Sequence, residues 1–224
     1  MVISLIHPSR GRPQKSFANS MDWIERVGCE VELIVSIDDS DSYKIYEEYY
    51  SRSFCGGVIK RGGFNFYGIV NNNSSVVEAT NRAAQKATGD ILLYLSDDFK
   101  CFDNWGAAVL KEFEGESRPL LLKVDDCLQK FQVPVLTIPI MNRALYERLG
   151  YFWHPDYKSM WVDCDLFETC NKIGAIKNAP HLKFPHEHPS IGKAQNDETY
   201  TRSAANWDQG LNVFNRRKAQ GFPI

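Results

Sequence analysis

The 224-residue chain lacks most features of a membrane-spanning, secreted or polyanion-binding protein. No apolar run approaches the ~20 residues of a membrane span. The start, Met1-Val2-Ile3-Ser4-Leu5-Ile6, has no basic n-region and soon meets His7 and Pro8. It reads as a first strand rather than a signal peptide, and a cytoplasmic location is expected. A formal net charge of −2 gives no bias toward polyanions, so nucleic acid is not an expected partner. Low-complexity tracts, heptads and repeats are absent. Six cysteines (Cys29, Cys55, Cys101, Cys127, Cys164, Cys170) show no C-x-x-C spacing, which argues for reduced thiols and against a zinc site. H-E-x-x-H is absent, which disfavours a zinc hydrolase. Gly62-Gly63 lies in a glycine-rich stretch, but no G-x-x-x-x-G-K follows a strand. What remains is one large domain, or a domain with an extension, able to bury a sizeable core.

The most informative stretch is Asp90-Ile91-Leu92-Leu93-Tyr94-Leu95-Ser96-Asp97-Asp98-Phe99. Its apolar residues run without alternation, as in a strand buried on both faces of a parallel sheet. It ends in two aspartates. In open α/β sheets ligands bind outside the carboxyl ends of strands. Carboxylates there suit a hard divalent cation carrying phosphate, although Ser-Asp-Asp also suits a turn or helix N-cap.

Upstream, residues 72–88 read as a capped helix ending at Gly89. The first strand, Val2–Ile6, ends in a loop holding Arg10 and Arg12, which suit a phosphate or nucleobase or are solvated loop arginines. A helix over 16–27 is expected to face inward through Phe17, Met21, Ile24 and Val27. A second strand, Val31–Ile37, ends in the acidic turn Asp38-Asp39-Ser40-Asp41, with Asp41 as cap of a helix over 42–52. Residues 58–61 are a candidate short strand. Trp105–Phe113 reads as a helix, and residues 120–124 as a strand ending in a surface turn at Asp125-Asp126. The Pro-interrupted segment 133–141 suits an edge strand or bulge. A short helix over 142–150 has a glycine C-cap, and 173–177 is a short final strand. Tyr151-Phe152-Trp153-His154-Pro155-Asp156-Tyr157 is either a sugar-stacking surface or core. His186 and His188, spaced i, i+2 in extended chain, point the same way and suit one shared metal or a solvated loop. A helix over 207–218 with a basic end is expected to fold over the cleft or meet another copy.

The order of helix, "A-x-G-D", apolar strand and acidic pair resembles glycosyltransferases of the GT-A fold, in particular inverting, family 2-like members. Asn81, Ala87, Gly89, Asp90 and Asp98 match, whereas Ser75 and Ser96 depart from the usual glycine and first acidic residue. The resemblance spans roughly residues 2–190. It implies a single α/β domain, with a mixed, mostly parallel, Rossmann-like sheet flanked by helices. Residues 1–115 would be a nucleotide-binding half, and 116–224 an acceptor half with a C-terminal extension. It implies that Pro8, Ser9, Arg10, Arg12, Asp38 or Asp39, Asn81 and Asp97 contact the nucleotide. Asp98, with His186 or His188, would hold Mn²⁺ or Mg²⁺. Pro139, Arg143 and Gly150 follow the spacing of a segment beside the acceptor. Asp163 aligns with the general base of an "E-D-x-D-L" segment, with Val162 in place of the glutamate and Asp165 as its neighbour or a helix-start carboxylate. The implied partners are a UDP-, GDP- or dTDP-sugar donor and a glycan or other hydroxyl acceptor. Two rivals stand beside this reading: a sugar nucleotidyltransferase, which should carry a glycine-rich basic loop where this chain has only Gly11, and a non-catalytic binding module.

Overall fold

The computed structural model describes residues 1–38, 43–53, 64–71, 73–193 and 195–224. The candidate strand at 58–61 and Asp39 to Asp41 lie outside them. The strands are β1 (Ile3–Ser9), β2 (Val31–Asp38), β3 (Phe64–Asn71), β4 (Ile91–Tyr94), β5 (Leu121–Asp125), β6 (Ile140–Asn142) and β7 (Ile176–Lys183). The helices are α1 (Pro13–Glu25), α2 (Tyr43–Ser53), α3 (Val76–Lys86), α4 (Trp105–Phe113), α5 (Arg143–Leu149), α6 (Val162–Lys172), α7 (Glu198–Ala204) and α8 (Trp207–Ala219). The seven strands form one sheet in the order β3-β2-β1-β4-β6-β5-β7. β6 runs antiparallel to both of its neighbours, and every other pairing is parallel. The sheet is therefore mixed and mostly parallel, flanked by helices.

Both faces of the central strands are covered, so β1 is buried throughout. Ile3 and Leu5 join a cluster with Trp23 and Trp105, while Ile6 joins Ala83, Ala84, Leu92 and Phe152 on the other face. This is the period-2 alternation of a strand between two helix layers. Pro8 lies inside β1, which runs past the expected end at Ile6. β4 pairs only as far as Ile6, so Pro8 has a strand partner on the β2 side alone and its missing N–H breaks no inner ladder.

The connection from α3 to β4 is built from local signals. Ser75 caps α3 by accepting from the Glu78 N–H at 3.1 Å, and Glu78 reaches back to the Ser74 N–H at 2.7 Å. At the far end, buried Glu32 of β2 accepts from the Thr88 and Gly89 N–H groups at 2.6 and 2.9 Å. A Cβ on Gly89 would meet Ser4 Oγ at 2.6 Å and the Val2 carbonyl at 2.8 Å. Gly89→Ala should therefore cost about 1–3 kcal/mol by overpacking. The check is a lower denaturant midpoint at unchanged slope.

Three expectations need correction. Residues 133–141 are no edge strand. Only Ile140–Asn142 pairs, and it does so between β4 and β5, because Pro134 and Pro139 keep the preceding chain out of the ladder. The final strand runs Ile176–Lys183 rather than 173–177. The inward face of α1 is Ser16, Asn19, Ser20 and Trp23, with Phe17, Met21 and Ile24 only partly buried. Small polar residues face inward there because they meet buried polar partners. Ser16 and Ser20 bond Tyr50 Oη, Ser20 bonds His7, and Asn19 donates to the Ser96 carbonyl.

α8 does not cover the cleft. It packs on α6 through Arg217, which is 4 % exposed and donates to Asp165 Oδ2 at 2.6 Å. Tyr157 Oη donates to the same oxygen at 3.0 Å. Arg217→Met strands a buried carboxylate, so a loss of about 3–5 kcal/mol is expected in thermal or denaturant unfolding. The double change with Asp165→Leu should recover much of it.

Candidate functional site

The chain passes from β1 to β2 to β3 on one side, then returns to place β4 on the other side of β1. The switch point thus lies between the carboxyl ends of β1 and β4, where ligands of open α/β sheets bind. A cleft of about 750 Å³ opens there. Pro8, Ser9, Arg10 and Arg12 line it from the β1 end, and Ser96, Asp97 and Asp98 from the β4 end. Asp163, His186 and His188 join from the second half of the chain.

The two adjacent aspartates have different roles. Asp97 points into a buried network. Its Oδ1 accepts from His7 Nε2 at 2.8 Å, Ser9 Oγ lies 3.2 Å from both carboxylate oxygens, and Arg12 Nη1 is 3.9 Å from Oδ2. His7 Nδ1 is 2.8 Å from Ser20 Oγ. The order Asp97, His7, Ser20 matches that of a hydrolytic triad, but His7 and Ser20 are fully buried and no substrate reaches the hydroxyl. The network braces the turn that carries Asp98.

Asp98 is buried and has one oxygen engaged and one without a partner. Oδ2 accepts from Tyr200 Oη at 2.6 Å and faces His186 Nε2 at 3.2 Å. Oδ1 is buried with no hydrogen-bond partner, and so is His186 Nδ1. Burial opposes ionisation of Asp98, yet the His186 and Tyr200 hydrogen bonds hold its carboxyl well below the usual carboxylate range. Burial and the Asp98 charge push the Tyr200 phenol up, so it stays a donor. β-Bridge pairing of Phe99 with His186 brings the late histidine to Asp98. His188 stacks edge-on to both His186 and Tyr200, with ring centres 5.2 and 5.1 Å away, while its Nδ1 accepts from the Ser190 N–H at 3.2 Å. Burial and neighbouring His186 lower its pKa.

Among the described residues no group of three or more His, Cys, Asp or Glu side chains is arranged to hold a metal ion. Hard cations such as Mg²⁺ are often held by one or two carboxylates together with substrate phosphates, rather than by an all-protein cage. The unpartnered Asp98 Oδ1 at the cleft fits that kind of site.

Asp163 sits in the first turn of α6, and its Oδ1 accepts from the following N–H at 2.9 Å. Burial raises its pKa above the ordinary value. A carboxylate so tuned is a better proton acceptor at neutral pH than an exposed one.

Other expected contacts lie elsewhere. The Asn81 amide is spent on the chain turn at 152–153: its Nδ2 donates to the Trp153 carbonyl at 2.7 Å and its Oδ1 accepts from the Phe152 and Trp153 N–H groups at 3.0 and 2.9 Å. It does not line the cleft. Asp38 ends β2, where its side chain lies outside the described residues, as does all of Asp39. Phe152, Trp153 and Tyr157 are core residues, and only Trp153 also touches the cleft. Arg143 donates to the Ala87 and Gly89 carbonyls, tying α5 to the α3–β4 connection. Asp126 is a turn residue as expected, but buried, accepting from the Leu128 N–H and Thr137 Oγ1.

Two cleft residues were not anticipated. Asp197 takes both Arg12 Nε and Nη2, at 2.8 and 2.6 Å, and Tyr200 bonds Asp98. The only signal nearby is a helix-start pattern, Asp197-Glu198-Thr199-Tyr200, which says nothing of a partner 102 positions away.

No protein-family model matches the sequence, and no curated protein matches it. Solved structures do resemble the fold. S. aureus TarS 1-349 in complex with UDP is 15 % identical with a TM-score of 0.59, over 82 % of this chain and 59 % of that one. The same TarS segment in complex with UDP-GlcNAc is 15 % identical, TM-score 0.59, over 91 % and 64 %. The mannosyltransferase PcManGT from Pyrobaculum calidifontis, in complex with GDP-Man and Mn²⁺, is 12 % identical, TM-score 0.60, over 97 % and 75 %. This chain thus spans under two thirds of both TarS structures. No described helix is long and apolar enough to cross a membrane. At such low identity the likeness carries the architecture alone, and together with the strand order and the cleft at the switch point it shows that the chain has the GT-A fold.

Proposed function

We propose that the protein is a glycosyltransferase that moves a sugar from a nucleoside-diphosphate donor to a hydroxyl acceptor, with inversion and with the help of a divalent cation. The observation that carries this reading is the buried Asp98 carboxyl, which has one unpartnered oxygen and lines the switch-point cleft together with Arg12. Residues 1–115 form the nucleotide half, in which Pro8, Ser9, Arg10 and Arg12 line the cleft for the donor and Asp97 lies just behind them. Residues 116–224 form the acceptor half. UDP and GDP sugars in the related folds support donors of this class.

Asp98, joined by His186 or His188, would hold Mn²⁺ or Mg²⁺. When bound, the cation offsets charge on the departing diphosphate. Arg12 adds a planar donor fork suited to phosphate oxygens. His7, Ser9 and Asp97 keep the Asp98 turn in place, so little rearrangement is needed as charge develops. Asp163 takes the acceptor hydroxyl proton as its oxygen attacks the anomeric carbon, giving inversion in one displacement.

The test is release of nucleoside diphosphate from a panel of UDP-, GDP- and dTDP-sugars with Mn²⁺ and a mixed set of glycan acceptors. One donor turned over, with turnover removed by a chelator, is the expected result. Sugar transfer at full rate in the chelator would refute the metal assignment.

A further inference from the structure

Arg12 and Asp98 both already have a partner from the same late segment. Asp197 grips the Arg12 guanidinium in a two-point fork, at 2.8 and 2.6 Å. The Tyr200 ring lies 4.5 Å under the guanidinium carbon, and its hydroxyl bonds Asp98 Oδ2 at 2.6 Å. Fork pairing of this kind is the geometry arginine uses equally for carboxylate and phosphate. The Arg12 side chain is only 10 % exposed, so Asp197 fills the anion-binding edge of a largely enclosed group.

The segment has little else to hold it down. α7 contains no buried residue. Beyond the Arg12 and Asp98 contacts, the His188 ring lies edge-on to Tyr200, with ring centres 5.1 Å apart, and Ser159 Oγ donates to the Ser203 carbonyl at 3.1 Å. An element held by a few polar and ring contacts, with no buried residue of its own, belongs to the low-stability end of local opening.

We propose that α7 is an internal occupant of the donor site. The Asp197 carboxylate stands where a donor phosphate pairs with Arg12, Tyr200 caps the cation-holding carboxylate, and an incoming nucleoside diphosphate displaces both. The proposal rests on the donor-site reading. It assigns regulation of that site to Asp197 and Tyr200, because part of the intrinsic donor affinity is used to shift α7 from closed to open.

The experiment is titration calorimetry of the whole chain with UDP, GDP and dTDP in Mn²⁺, for wild type, Asp197→Asn and Tyr200→Phe. Asparagine preserves the α7 cap, since it also accepts from the Tyr200 N–H that Asp197 now holds. Helix content and melting temperature confirm that each variant is folded. The expected result is nucleotide binding about tenfold tighter in both variants than in wild type, with faster hydrogen exchange over residues 197–204 when nucleotide is bound. A wild type that binds nucleotide while the variants bind equally or less tightly overturns the internal-occupant role and leaves the donor site standing. Absence of binding in all three proteins overturns both. Detectable binding only in the variants supports closure by α7.

Discussion

Asp98→Ala should lower sugar transfer by at least about 10²–10³-fold, the typical loss when one preorganised electrostatic group is removed from a reacting centre. The expectation follows from its place at the end of β4. Among the described residues it is the buried carboxylate of the cleft that keeps one oxygen without a hydrogen-bond partner. Removing it also strands the Tyr200 hydroxyl and His186 Nε2, at about 1–3 kcal/mol for each unsatisfied group. The assay therefore has to be run well below the melting temperature of the variant, with Asp98→Asn as a near-isosteric second test. Asparagine keeps an acceptor for Tyr200 but loses the charge. A metal-holding role predicts that both variants are inactive and that excess Mn²⁺ does not restore them. A purely structural role predicts that Asp98→Asn works nearly as well as wild type.

Asp163→Asn should reduce kcat by about 10²–10⁴-fold, the usual contribution of a positioned base, and leave the KM for donor little changed. The pH profile separates this from a folding effect. The carboxylate is the active form, and burial raises its pKa. Activity should thus be present above that raised pKa and fall as the pH drops through it, at a higher pH than an exposed aspartate would give. Asp163→Asn should retain a slow rate without that acid limb. An unchanged acid limb in the variant would assign the titration to another group and remove Asp163 from the role of base.

Elements set by local patterns were readable from the sequence. α4 runs Trp105–Phe113 as expected, and Gly150, with φ of +76°, closes α5 as a left-handed cap. The Asp97-Asp98 turn lies at the carboxyl end of a buried strand, because an unbroken apolar run fits few other places. What escaped was decided by partners far away in sequence. The inward face of α1 looks like its outward face by periodicity, since Ser16 and Ser20 are buried against His7 and Tyr50 rather than against apolar side chains. Asn81 lies in a familiar pattern, but its amide serves the backbone at 152–153. Asp165 and Arg217 form a buried pair across 52 positions, which no spacing rule announces. Tyr200 and Asp197 are harder still, because a short capped helix with no buried residue carries no mark of the cleft it lies against.

The central claim is that the switch-point cleft binds a nucleoside diphosphate through a cation held at Asp98. Its most direct test is calorimetric titration of the wild-type chain with UDP, GDP and dTDP, each with and without Mn²⁺, using Asp197→Asn alongside so that closure by α7 does not mask a weak site. The account predicts that one nucleotide binds only when Mn²⁺ is present and that Asp98→Ala removes this binding. No binding of any of the three in the presence of Mn²⁺, by either protein, would contradict it.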